Sequence, residues 1–162
     1  MEILKAGSVS PPNVFELLLR GKASIPGVEI IGERLGGRGV VIGFDPITVY
    51  VVRVGRMLSE ILLDALQDLA WLKEEGTLVQ AIFPQTTRPF AGVLLIADVF
   101  PPEFASLLPL FSFPCRLFRP IGVGDQHVLS CLLFEPYPPQ IVEEKTNPEE
   151  ITKEEERFFS SW

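Results

Sequence analysis

The chain has 162 residues, of which 47% are hydrophobic and 22% charged, and a formal net charge of −7. That is enough apolar material for one self-sufficient core and too little length for a second full domain. The charge excludes a general electrostatic pull on polyanions: seven acids and three bases follow residue 142, net −4, which leaves residues 1–142 at −3.

From the N-terminus, Met1 to Ser8 has neither a basic leader nor an apolar core with a cleavage site, and this predicts a cytoplasmic protein. Asn13–Arg20 reads as a short helix, with Ser10 placed to cap it, Pro11 or Pro12 in its first turn and Gly21 at its end. Three β-rich runs follow: Val28–Arg34, Val40–Phe44 and Thr48–Val54. Gly36-Gly37 and Asp45-Pro46 separate them, which predicts a three-strand meander. Met57–Glu75 holds no Gly or Pro and is rich in Leu and Ala, so it is the strongest helix. Glu60, Asp64, Gln67 and Asp68 are expected along its solvated side.

The continuous apolar run Ala91–Ala97, ending in Asp98, predicts a strand covered on both faces. It is also too short to cross a membrane. A short helix over Pro101–Leu110 and two closing strands, Pro114–Pro120 and Gln126–Glu135, complete the order α-βββ-α-β-α-β-β. The expected class is α/β, a mixed central sheet with helices on both sides.

The only cysteines, Cys115 and Cys131, exclude a thiolate zinc centre. They lie symmetrically about Gly122-Val123-Gly124. A hairpin turn there would bring them face to face, as two buried thiols or as a disulfide. Residues 1–140 thus form one domain. Residues 141–162 form an acidic tail, in which Thr152–Glu155 starts like a capping box and predicts a short helix to about Phe159, with an aromatic end of Phe158, Phe159 and Trp162 that folds back, docks into a partner or stays disordered.

Two motif types carry no chemistry. His127 has no matched nucleophile, and Gly36-Gly37-Arg38-Gly39 joins two strands rather than opening a helix, so it is a turn and not a phosphate cradle.

The run of elements, with Arg38-Gly-Val-Val-Ile, Val51-Val-Arg-Val-Gly-Arg56, Asp64-Ala-Leu-Gln-Asp-Leu-Ala-Trp71-Leu72 and Val93-Leu-Leu-Ile-Ala-Asp98, resembles the PD-(D/E)XK nuclease superfamily, in its RecB-like or NucS-like branch. The resemblance spans roughly residues 13–135 and implies a restriction-endonuclease-like fold. It places the first metal-binding Asp on Val40, the Glu on Arg53, the Lys on Gly55 and the helix Gln on Asp64. In the family, two carboxylates hold a divalent ion that activates water, and the Lys positions the nucleophile. Valine cannot ligate a metal and Arg53 would repel one.

The resemblance therefore implies a domain that is not an enzyme, needs no cofactor, and is kept for association with a protein partner or with itself. The apolar surplus favours a homo-oligomer, and no membrane partner is expected. Two other functions follow from the residues. Arg34, Arg38, Arg53 and Arg56 would bind phosphates in a non-catalytic nucleic-acid module. Glu16, Asp45, Glu60 and Asp64 would hold Mg²⁺ if the carboxylates of a nuclease had moved.

Overall fold

The computed structural model describes residues 2–3, 9–125 and 128–137. The predicted tail over 141–162, its aromatic end at Phe158, Phe159 and Trp162, and His127 all lie outside the described residues.

The architecture is mixed α/β, as the alternation of β-branched and Leu/Ala-rich segments predicts. Among the described residues it has seven strands: β1 (Glu2–Ile3), β2 (Glu29–Ile30), β3 (Val41–Phe44), β4 (Thr48–Met57), β5 (Phe90–Val99), β6 (Cys115–Asp125) and β7 (Val128–Tyr137). The helices are α1 (Pro11–Leu19), α2 (Leu58–Ile82) and the single turn α3 (Phe104–Leu107), with short 3₁₀ turns after α2 and α3.

The sheet order is β1-β6-β5-β4-β3-β2, and β7 pairs with β6. Strands β2, β3 and β4 form an antiparallel meander. Strands β4, β5 and β6 run parallel, which requires the crossovers supplied by α2 and α3. β5 pairs with residues 115–118 of β6, whereas β1 pairs with 123–124. Because β7 spans β6 from Leu117 to Asp125, β1 continues the edge occupied by β5, and β7 takes the other.

Period-2 alternation divides the strands between two cores. Val49, Val51, Val93, Leu95, Ala97 and Leu117 pack with Ile61, Ala65, Leu69 and Leu72 of α2. On the opposite face, Tyr50, Val52, Leu94, Ile96 and Phe118 pack with Val14 and Leu18 of α1. Val93 to Ala97 are wholly buried because both faces of β5 are covered. Each of the four larger side chains, Val93, Leu94, Leu95 and Ile96, stabilises the fold by about 1.5–3 kcal/mol.

Four expectations need correction. Helix α2 does not stop at Glu75: it runs through Gly76 to Ile82, because Val79 docks on the core, and it ends before Pro84. The first meander strand is two residues long rather than seven.

The Gly122–Gly124 turn is interior to β6, which reaches Asp125 and pairs there with Val128. Cys131 consequently faces Val123, and Cys115 stands eight residues from that point, roughly 26 Å along the strand. Both cysteines are free, since a disulfide needs Cα atoms within about 7 Å. Finally, Asp68 is not part of a solvated stripe but is fully buried.

Among the described residues, no helix is long and apolar enough to cross a membrane.

Candidate functional site

The site assigned by the resemblance lies between β4 and α2. On β4, residues 49, 51, 53 and 55 share the face toward α2, so Arg53 points into an interface otherwise built of Val and Leu. Its counterpart comes from the helix. Ile61, Ala65, Asp68, Leu69 and Leu72 form one buried stripe at 3- to 4-residue spacing, and Asp68 occupies an inward position of it.

Arg53 meets Asp68 in a two-pronged ion pair, with Nε 2.5 Å from Oδ2 and Nη2 2.9 Å from Oδ1. Arg38 donates from Nε to the same Oδ1 at 3.2 Å and from Nη2 to Gln67 Oε1 at 3.1 Å. The Asp68 side chain is 0% exposed, against 24% for Arg53 and 37% for Arg38. A carboxylate at that depth costs several kcal/mol unless it is paired and hydrogen-bonded. Here it accepts three N–H groups. The hydrogen bond to Asp68 holds the Arg53 guanidinium above its ordinary pKa, against the opposing effect of burial, and the charges of Asp68 and Asp64 add to it.

The other two positions are filled by packing. Val40 is fully buried in the α2-side core. A Cβ at Gly55 would stand 2.5 Å from Ile61 Cγ2, so the backbone of β4 approaches α2 too closely for any longer side chain without movement. The loop before Val40 packs against α2. Gly36, at φ +68°, lies against the Trp71 ring, where a Cβ would come within 2.8 Å of Cζ2, and Arg38 ties the loop to α2.

The four carboxylates considered as a relocated metal site are not brought together. Glu16 lies on α1, on the opposite face of the sheet, and pairs with Arg34 at 3.0 Å and Arg20 at 3.8 Å. Glu60 and Asp64 are exposed on α2. Asp45 closes the β3–β4 turn: its Oδ1 accepts the amides of Ile47 (2.9 Å) and Thr48 (2.7 Å), and its Oδ2 accepts the Tyr50 hydroxyl at 2.8 Å. Burial pushes the Asp45 carboxyl up, but those three hydrogen bonds and the nearby Arg116 outweigh it and hold the group below the usual carboxylate range. Among the described residues, no three His, Cys, Asp or Glu side chains gather as ligands for one ion.

The four arginines do not form a common basic patch. Arg34 pairs with Glu16 and lies over the Phe15 ring. Arg38 and Arg53 share Asp68, and Arg56 lies 3.8 Å from Asp98 on the neighbouring strand. Burial raises the Asp98 carboxyl above its ordinary pKa, against the pull of Arg56 and Arg119.

Asp68 is the central residue that sequence reasoning missed. The signal was there: it follows Ile61 by seven residues and Ala65 by three, on the apolar stripe, while Arg53 keeps the inward parity of Val49 and Val51. Comparison with family models, curated proteins and solved structures finds no match.

Proposed function

We propose that the chain is a catalytically inactive domain of restriction-endonuclease-like type that serves protein association, most simply with itself. The observation that carries the reading is the Arg53–Asp68 pair. At the position where a nuclease of this type would present a metal-binding carboxylate stands a guanidinium, already neutralised by a buried acid from α2. A divalent cation entering there would face Arg38 and Arg53, and expelling Arg53 would leave Asp68 buried with a weaker partner. The meander β2-β3-β4, followed by helix α2 and by β5 parallel to β4, supports the fold assignment. The packing of Val40 in the core, of Gly55 against Ile61 and of the Trp71-backed loop on α2 supports the absence of catalysis.

The test is cleavage of single- and double-stranded DNA and RNA with Mg²⁺ or Mn²⁺. No cleavage above a metal-free control is expected, and R53A should change nothing. Metal-dependent cleavage abolished by E60A or D64A would overturn the reading. Among the described residues, ten large hydrophobic side chains are exposed, including Leu63, Leu110 and Leu133, which supports the association role.

A further inference from the structure

Strand β7 is ten residues long and pairs on one side only, with β6. Among the described residues, nothing pairs with its outer edge. An open edge offers a row of backbone N–H and C=O groups, and proteins protect such edges with charges, prolines, bulges or covering segments. Here the protection is partial. A β-bulge interrupts the ladder between Val123 and Gly124, where Cys131 and Leu129 are the successive β7 partners, and Pro136 removes a donor near the other end. Between them lies Cys131-Leu-Leu-Phe-Glu135, whose only charge is Glu135.

The two faces of this segment differ. Leu132 and Phe134 are buried in the α1-side core. Leu133 and Cys131 point the other way and are exposed, Leu133 at 53%, above the partly exposed Ile121 and Val123 that face them in register on β6. The second face is therefore apolar and uncovered beside an open edge.

We propose that the Cys131–Glu135 edge of β7 pairs antiparallel with the same edge of a second copy, with Leu133 at the two-fold axis. This rests on the association reading above and names its surface. The bulge and Pro136 bracket the segment symmetrically about Leu133, so the pairing sets Leu133 against Leu133 and Cys131 against Glu135 of the other copy. The two glutamates then lie about 14 Å apart along the ladder, and no like charges meet. An antiparallel pair of identical strands satisfies itself, which makes the contact isologous and closes it at a dimer.

The chain's own C-terminal segment fits this edge poorly. It begins with Pro138-Pro139 and is Glu-rich from Glu143, so it lacks ladder donors at its start and places negative charge where the edge is apolar.

The test is sedimentation of the full chain at about 100 μM, a concentration suited to a small interface. Wild type should be a dimer. L133K should be a monomer with unchanged circular dichroism, since the side chain is already exposed in the single chain. In a C115S/C131S background, L133C should oxidise to a disulfide-linked dimer, because opposed strand residues have Cα atoms about 4.5–5.5 Å apart. L63C, exposed on α2, should remain unlinked in the same background.

A dimeric L133K would overturn this interface and leave self-association standing on another face. A dimer in which L133C does not cross-link would overturn the pairing about Leu133. A monomeric wild type would overturn the interface and self-association together, while the absence of nuclease chemistry is judged separately by cleavage.

Discussion

Asp68 organises the interior between β4 and α2, because it is the only fully buried carboxylate among the described residues and two arginines depend on it. In D68A, Arg53 would remain half inside an apolar interface without a counter-ion. We expect a loss of about 2–3 kcal/mol in urea unfolding, below the 3–5 kcal/mol of a fully enclosed pair because both arginines reach solvent. The double variant R53M/D68L should recover most of that loss, since it removes both charges and keeps the volume.

Asp45 supplies a pH-dependent term of known sign. Its folded pKa lies below the unfolded value of about 3.9, so its stabilisation is present above that value and is lost as pH falls through the folded pKa. D45N should therefore be less stable than wild type by about 1 kcal/mol at neutral pH, with the difference shrinking as pH falls below the unfolded value and through the folded pKa. Urea titrations at several pH values would check it.

At the scale of elements, Gly76 shows how tertiary contacts override local preference. A helix read from propensity ends at Glu75, yet α2 continues for two further turns because Val79 is buried against the sheet. Gly76 is helical and a Cβ there would meet nothing within 4 Å. G76A should raise stability by about 0.5–1 kcal/mol, visible as a higher thermal midpoint. The strands show the converse. The apolar run of β5 and the β-rich run of β4 were legible because burial on both faces writes itself into composition. The extent of β6 was not, because Gly122 and Gly124 read as a turn while the pairing of Val123 with Cys131 carries the strand through them.

At the scale of the whole molecule, three layers share the work. Helix α1 covers one face of the sheet, α2 and α3 cover the other, and among the described residues the β6–β7 end keeps an exposed apolar face and an unpaired edge. A chain with net −3 over residues 1–142, whose candidate arginines have acidic partners, has little to attract a polyanion. Among the described residues, exposed apolar side chains such as Leu133 are what the proposed association would use. That is why the predicted dimer, rather than nucleic-acid binding, is the first property to measure.

The sequence by itself determined the class of the fold, the two long strands at its centre and the absence of a carboxylate or lysine at Val40, Arg53 and Gly55. Those follow from side-chain type, from period and from the fact that valine, arginine and glycine cannot do what carboxylates and lysine do. Only the tertiary structure decided what surrounds those positions. Pairing Arg53 with Asp68, fifteen residues away on a different element, depends on how α2 lies across β4. The separation of Cys115 from Cys131 depends likewise on where β6 reverses into β7, a register that local composition does not encode.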